Sequence, residues 1–404
     1  MSSLEKKLPD GWVETDIGNL VELAQGVAIN AKTNHVLSNK ENGIPLLKIN
    51  NLLNNTIDQY ANPELVPKKS IIHENDVIFT RTGQVGEVLI NKYGILHNNS
   101  FKVIPSDKLH FKYLYWYLKN KKVYNYVQKV AAGSVQKDLN HGAFKTIEFK
   151  YPENKEEQKA IAKVLTAFDD KIENLRAQNQ TLEQTAQTIF KEWFGKESDD
   201  WEFVAINTLL DISSSKRIFH GEYVNEGIPF YRSKEIIELS TKPSISTELF
   251  ISEERFKEIK DKYDVPKKGD ILLSAVGTLG VAFQVRDDNP FYFKDGNLIW
   301  FKNFNKTCSS DFVYNWLKLK STQNLLNMVS IGSTQKALTI SSIRELTIPF
   351  IKDSNKRNRL YKFLRSNLDK VNHNQSQIQT LTQTRDALLS KLMRGEIRVN
   401  GFKK

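Results

Sequence analysis

The chain has 404 residues, more than one ordinary domain needs, and its 40% hydrophobic and 26% charged residues describe a folded rather than a disordered protein. Its one cysteine, Cys308, excludes an internal disulfide and a cysteine-rich zinc site, and no run approaches the ~18 apolar residues of a membrane span. A formal charge of +11 points to a polyanionic partner, which leaves three classes: a nucleic-acid binder, a nucleic-acid-modifying enzyme, and a scaffold with a basic surface. The polar start, residues 1–10, has no signal-peptide core, so a soluble cytoplasmic protein is expected.

Along the chain the elements occur twice. Gly43-Ile44-Pro45 returns as Gly227-Ile228-Pro229. Asp76-Val77-Ile78 followed by Gly83-x-x-Gly86 returns as Asp270-Ile271-Leu272 followed by Gly277-x-x-Gly280. Gly133-Ser134-Val135-Gln136-Lys137 returns as Gly332-Ser333-Thr334-Gln335-Lys336, and Gln180-Thr181-Leu182 as Gln379-Thr380-Leu381. The offset grows from 184 to 194 to 199 and then holds, so insertions accumulate early in the second copy. The shared order identifies a duplication.

Each copy begins with a mixed part, roughly 1–150 and 197–351. Val77-Ile78-Phe79 and Ile271-Leu272-Leu273 read as buried strands, with following strands over 85–90 and 281–285. The glycine pair between them reads as a turn. Single helices are expected over 111–130 and 310–329, with Tyr113, Trp116, Tyr117 and Tyr124, then Val313, Trp316 and Leu317, facing the core. A long helix closes each copy. Apolar residues Ile161, Leu165, Phe168, Ile172, Leu175, Leu182, Ala186, Ile189 and Trp193 alternate in steps of 4 and 3, broken only by Asn179. The second seam is Leu360, Leu364, Val371, Ile378, Leu381, Leu388 and Leu392, with Asn367, Asn374 and Arg385 interposed. A seam of ~35 residues spans roughly 50 Å and needs a partner for its stripe. The other copy's helix is the obvious one.

Catalytic signatures do not accompany this pattern. Asn289-Pro290-Phe291-Tyr292 has one proline where an adenine amino-methyltransferase loop has two, and it reads as a turn. There is no phosphate-cradling Gly-x-x-x-x-Gly-Lys loop, and the seven histidines lack metal-ligand spacing. The two Gly-x-x-Gly elements are too short to be dinucleotide fingerprints.

The ordered elements resemble the specificity subunits of type I restriction–modification systems. The resemblance is carried by Leu8-Pro9-Asp10-Gly11-Trp12, by Gly43 to Ile49, by Asp76-Val77-Ile78-Phe79-Thr80-Arg81-Thr82-Gly83, and by Gly133 to Leu139. It continues in Glu156-Glu157-Gln158-Lys159-Ala160-Ile161-Ala162 and in the closing run from Leu388 to Val399. It implies an α+β architecture: two tandem copies of a globular mixed α/β target recognition domain, each followed by a long helix. The two helices pair as an antiparallel coiled coil. The boundaries are 1–152 and 197–351 for the recognition domains, and 153–196 and 352–404 for the helical spacers. The resemblance further implies a bipartite site in double-stranded DNA, read one half by each domain, with the helices as a ruler. Two modification subunits would dock on the helices and carry adenine-N6 methylation with S-adenosylmethionine, and ATP-dependent restriction subunits can join them. This chain itself would bind no cofactor and do no catalysis. The second copy departs by an early insertion, 252–266, and by residues 352–359 where the Glu-Glu-Gln-Lys run would stand. A duplicated coiled-coil DNA-binding protein acting without a methyltransferase is the alternative.

Phosphates are gripped by cations, hydroxyls and backbone N–H groups, whereas major-groove bases select Arg or Lys for guanine and Asn or Gln for adenine. The repeated Gly-Ser-x-Gln-Lys element suits a phosphate-gripping turn through Ser134, Gln136 and Lys137, and through Ser333, Gln335 and Lys336. Arg81 is the sole arginine of the first recognition domain, flanked by Thr82, and its counterpart is Ala275. Lys48 aligns with Arg232 at offset 184. Lys216, Arg217, Ser233 and Lys234 complete the loop candidates.

Overall fold

A computed structural model describes residues 8–132, 137–196, 198–242, 245–332, 336–399 and 401–402. The chain divides into two compact units, one of residues 1–171 with 381–404, the other of 172–380.

The first copy runs β1 (Trp12–Asp16), β2 (Val21–Gln25), β3 (Leu37–Ser38), β4 (Ile44–Leu47), α1 (Ile49–Asn54), β5 (Tyr60–Ala61), β6 (Ile71–Ile72) and β7 (Val77–Thr80). It continues through β8 (Val88–Leu89), β9 (Gly94–Leu96), β10 (Ser100–Pro105), α2 (Phe111–Leu118), α3 (Lys121–Ala131), α4 (His141–Lys145), β11 (Glu148–Pro152) and the 40-residue α5 (Lys155–Phe194). The second copy follows with β12 (Trp201–Ala205), β13 (Asp211–Ser213), β14 (Tyr223–Val224), β15 (Ile228–Tyr231), α6 (Ser233–Thr241), β16 (Phe250–Ile251), α7 (Glu253–Lys262) and β17 (Ile271–Ser274). It closes through β18 (Ala282–Gln284), β19 (Tyr292–Phe293), β20 (Leu298–Lys302), α8 (Ser310–Lys318), α9 (Lys320–Val329), α10 (Ile340–Arg344), β21 (Thr347–Ile351) and the 40-residue α11 (Ser354–Met393).

The duplication is a duplication of topology. An antiparallel sheet ordered β2-β10-β7-β8 in the first copy is matched by β13-β20-β17-β18 in the second. A small sheet, β3-β5-β4-β9-β6, is matched by β14-β16-β15-β19, and the pairs β4–β9 and β15–β19 are both parallel. In both copies the first strand closes on the last, with Trp12 opposite Pro152 and Trp201 opposite Ile351.

Strand β7 shows why the apolar runs are legible. All four of its residues are buried, because the strand lies between two cores. Val77 and Phe79 enter the large core with Trp116, Phe101 and Phe149, while Ile78 points to the other face, among Leu47, Leu52, Ile72 and Leu96. Side chains alternate across a strand, so one run serves both cores. Strand β17 repeats this: Ile271 and Leu273 enter one core, Leu272 the other.

The residues before these strands are structural. Asp76 accepts from the His73 backbone N–H at 2.8 Å and from Lys102 Nζ at 3.0 Å. Asp270 accepts from the Lys267 N–H at 3.0 Å and from Trp300 Nε1 at 2.9 Å. One carboxylate thus closes the turn into each strand, with a different cross-strand donor in each copy.

Several expectations need correction. Each single helix over 111–130 and 310–329 is two helices. In the first copy Asn120 accepts from the Lys122 N–H at 2.9 Å and starts α3 afresh. In the second, Leu319 is extended between α8 and α9. Tyr113, Trp116 and Tyr117 are core, but Tyr124 is on the exposed side of α3, 40% accessible. The strands expected over 85–90 and 281–285 are shorter, because their first residues finish the glycine turn. The insertion at 252–266 forms α7, capped by Ser252 accepting from Arg255 N–H at 3.1 Å.

The long helices pack against each other antiparallel within each unit. In the first unit, Leu389, Leu392 and Met393 share the core with Ile161, Ala162 and Leu165, and Arg385 pairs with Asp169. In the second, buried Asn374 donates to Asn179 Oδ1 at 2.8 Å, and Asn367 to the Leu182 carbonyl at 3.0 Å. The asparagines that interrupt the two seams therefore meet, a polar layer of the kind that fixes register in paired helices.

Candidate nucleic-acid interface

The site is built on the strand-to-turn step after β7 and β17. Buried Thr80 accepts from the Glu87 N–H at 2.9 Å, and buried Ser274 accepts from the Val281 N–H at 2.9 Å. One hydroxyl thus closes each turn. Gly83 (φ 81°) and Gly277 (φ 77°) are left-handed in open space, so backbone conformation alone selects glycine there. Gly280 is left-handed as well (φ 77°), and a Cβ there would lie 2.7 Å from Gln323 Oε1 on α9, so that side chain would have to shift. Gln128 on α3 and Gln323 on α9 each donate to a turn carbonyl, at 2.6 and 2.8 Å.

In the first unit the turn is stitched to the segment after Gln136. Thr82 bridges Asp138 across the backbone, Gly83 N–H donates to the Lys137 carbonyl at 3.3 Å, and Leu139 N–H to the Arg81 carbonyl at 2.9 Å. Arg81 lays its guanidinium on Asp138, with Nη2 at 2.7 Å and Nε at 3.1 Å, and Thr82 Oγ1 donates to the same carboxylate at 2.8 Å. The Arg81 hydrogen bond holds the Asp138 carboxyl below its ordinary range. Arg81 is thereby a clamp between two loops, which places its planar fork on a protein carboxylate. The second unit keeps the stitch, with Val276 bridging Ala337 and Leu338 N–H donating to the Ala275 carbonyl at 2.8 Å. Both members of the ion pair are alanine there, Ala275 for Arg81 and Ala337 for Asp138. Lys137 and Lys336 stand exposed beside this stitch, without an ion pair among the described residues. Ser134, Gln136, Ser333 and Gln335 lie outside the described residues.

Lys48 and Arg232 occupy the same place, the N-cap of the helix that follows β4 or β15. Each is half-buried and engaged: Lys48 Nζ donates to Gln59 Oε1 at 2.7 Å, and Arg232 Nη2 donates to Glu235 Oε1 at 2.6 Å. Arg217 is exposed and its Nε donates to Asp295 at 2.8 Å. Lys216 is exposed with its Nζ 5.0 Å over the Tyr263 ring. Ser233 Oγ donates to the Asn297 carbonyl at 3.1 Å, and Lys234 is exposed without an ion pair among the described residues.

One short segment in each unit gathers these candidates. In the first, His97 N–H donates to the Leu47 carbonyl at 3.1 Å, next to Lys48, and Arg81 N–H to the Asn99 carbonyl at 2.9 Å. Gln25 donates to the Asn98 carbonyl at 2.5 Å. Burial, and then the Lys48 charge, lower the His97 pKa against an opposing hydrogen bond from Asn99, which favours the neutral ring. In the second, Lys294 N–H donates to the Tyr231 carbonyl at 2.8 Å and Ala275 N–H to the Asn297 carbonyl at 2.9 Å. Half-buried amides (Gln25, Asn98, Asn99) thus sit beside cations, the pairing of groups that reads adenine and holds phosphate. No local pattern marks these amides, Asp138 or Asp295, whose partners lie far off in the chain. Glu235 had a local signal, three residues after a helix-capping position.

In Asn289-Pro290-Phe291-Tyr292 the aromatic half is core. Asn289 and Pro290 are exposed, but Phe291 packs 5.1 Å from the Tyr231 ring, and buried Tyr292 accepts from the Lys216 N–H at 2.7 Å. No helix among the described residues is long and apolar enough to cross a membrane.

Comparison with known proteins matches the chain twice to the type I restriction modification DNA specificity domain, over residues 9–184 and 198–383. The MjaIX specificity subunit of a type I restriction enzyme from Methanocaldococcus jannaschii is 28% identical over 352 residues, covering 81% of this chain and 79% of the relative. The MjaVIII specificity subunit from the same organism is 22% identical over 420 residues, covering 98% and 95%. Among solved structures, the type I restriction-modification S subunit from M. genitalium shares the fold with a TM-score of 0.59 at 19% identity, covering 97% of this chain and 98% of that one.

Proposed function

The chain belongs to the type I restriction modification DNA specificity family, and from that premise we propose that each of its two copies reads one half of a bipartite site in double-stranded DNA. The long helices set the distance between the half-sites and dock two adenine-N6 methyltransferase subunits, to which ATP-dependent restriction subunits can add. S-adenosylmethionine binds those methyltransferase subunits, and this chain contributes recognition and assembly without catalysis or a cofactor of its own. Its work lies with the DNA, in the cytoplasm.

One observation carries the proposal: the same sheet order is built twice, and the side chains around the same turn differ between the copies. Lys48 and His97 stand where the second copy has Arg232 and Lys294, and the clamp of Arg81 on Asp138 is replaced by Ala275 and Ala337. A conserved backbone frame with exchanged loop chemistry is what reading two different half-sites requires. The basic charge is shared, with 26 cations against 22 anions in residues 1–196 and 32 against 25 in 197–404, so both copies can approach a duplex. The test is methylation of DNA by the complex of this chain with its modification subunits. Two methylated adenines in two unlike half-sites, a fixed distance apart, support the proposal. DNA bound at equal affinity whatever its sequence would reduce the chain to a basic scaffold.

A further inference from the structure

The loop between β13 and β14 holds an exposed aromatic ring on a fixed backbone. Phe219 is 65% exposed, although the residue before it, Ile218, is buried in a core with Phe230, Ile259 and Tyr292. The Phe219 N–H donates to Glu222 Oε2 at 2.7 Å, and the Glu222 N–H donates back to the Phe219 carbonyl at 2.9 Å. Glu222 is held in turn by Arg255 of α7, 2.7 Å away. On the other side of Ile218, the Lys216 N–H donates to the buried Tyr292 hydroxyl at 2.7 Å, and Ser215 Oγ donates to the Phe293 carbonyl at 2.8 Å. Single exposed apolar side chains are common on protein surfaces. Here, however, the backbone on both sides of the ring is tied down while the ring itself is kept in solvent. Such pinning lowers the entropy lost when the ring is covered by a ligand.

The loop is cationic. Lys216 and Arg217 lie just before the ring and are both exposed. Lys216 Nζ stands 5.0 Å over the ring of Tyr263, itself 51% exposed. Arg217 places Nε 2.8 Å from Asp295 and still keeps its side chain 66% exposed. The one carboxylate of residues 214–222, Glu222, already faces Arg255. The first copy has a different side chain at this place. Counting from the matched strands β2 and β13, Ile29 stands for Ile218 and Asn30 for Phe219. Ile29 packs against the corresponding core, among Val36, Leu46 and Ile95, so the frame is kept and the exposed side chain is exchanged.

We propose that Phe219 is an apolar wedge that stacks on a base of the second half-site, with Lys216 and Arg217 against the flanking phosphates. The inference rests on the reading that each copy binds one half of a DNA site, and it names a contact within that site. Every base presents a π-face, and phenylalanine enters duplexes by parting neighbouring bases. The cations beside the ring favour this occupant over a protein surface, because lysine is depleted from the centres of protein–protein interfaces. The wedge belongs to the second half-site alone, since Asn30 offers no ring in the first copy.

The test uses the complex of the full chain with its modification subunits, and a duplex carrying the site that the complex methylates. 5-Iododeoxyuridine replaces each thymine on either strand of the second half-site in turn, and irradiation followed by mass spectrometry finds the side chain that lies on it. A crosslink to Phe219 is expected. Phe219→Ala should weaken binding of that duplex roughly 5- to 150-fold. The salt slope should stay unchanged, because a ring displaces no counterions, whereas Lys216→Ala should lower it by about one unit. Phe219→Trp keeps a stacking ring and should retain most of the affinity. Crosslinks only to other residues, unchanged affinity in Phe219→Ala, or loss of association with the modification subunits by that variant in the absence of DNA would overturn the inference. Equal binding of the unaltered complex to every duplex would instead defeat the half-site reading on which it rests.

Discussion

Replacing Arg81 and Asp138 by alanine, singly and together, separates a clamp from a base reader. The carboxylate takes two bonds from the guanidinium, at 2.7 and 3.1 Å, and one from Thr82 at 2.8 Å. Hydrogen bonds to charged groups contribute roughly 1.5–3 kcal/mol when shielded. Here the side chains are 24% and 33% exposed, and solvent screening brings the expected coupling down to about 1 kcal/mol. Each single variant should therefore destabilise the stitch by about 1–2 kcal/mol, and the double variant by about 1 kcal/mol less than their sum. Tolerance of the double change is expected because Ala275 and Ala337 already keep the same backbone bridge. The amide of Leu139, which donates to the Arg81 carbonyl, reports the opening of this stitch by hydrogen exchange. There is a pH signature. Asp138 is held below its ordinary value in the folded chain, so its contribution is complete above the unfolded value of about 4 and is lost as pH falls through the lower folded value. The gap between the unaltered chain and Asp138→Asn should be constant at neutral pH and close in acid. Strictly additive single effects would refute the clamp. So would a loss of about 1–3 kcal/mol of guanine discrimination at the first half-site in Arg81→Ala with Asp138→Ala silent, which is the behaviour of a base reader.

Lys137→Ala or Lys336→Ala should weaken binding to all duplexes and lower the salt slope by about one unit; an unchanged slope removes that lysine from the phosphate contacts. Replacing Asn179 and Asn374 together by leucine should raise the urea midpoint, whereas Asn374→Leu alone, which strands the Asn179 amide, should gain less or lose. Cys308 is buried and its thiol is pushed up to about 12 by that burial, so native protein should resist an aromatic disulfide reagent at pH 8 and react only as the second unit opens.

What the sequence revealed depended on the range of the interaction. Strands β7 and β17 were visible because a run buried on both faces is apolar throughout. The glycine turns were visible because positive φ at Gly83 and Gly277 leaves little alternative. The long helices showed through the spacing of their seams, even though the asparagines looked like interruptions until they were seen to meet. The break at Asn120 was hidden because the apolar pattern continues across it. The engagement of the cations was hidden for another reason: Arg81 finds Asp138 57 residues away, and Arg217 finds Asp295 78 residues away. No local pattern encodes such a contact. Only the paired loss of Arg81 and Asp138 in the second copy carries a trace of it.

Two unlike readers on one frame at a set separation must leave a bipartite mark on DNA. The map of methylated adenines in DNA modified by the complete complex tests it most directly. Two different half-sites separated by a constant unread spacer are predicted, with the spacer changed or assembly lost when one heptad is removed from the seam between Ile161 and Trp193. A single contiguous site, or the original spacer methylated at the normal rate after the heptad is removed, would contradict it.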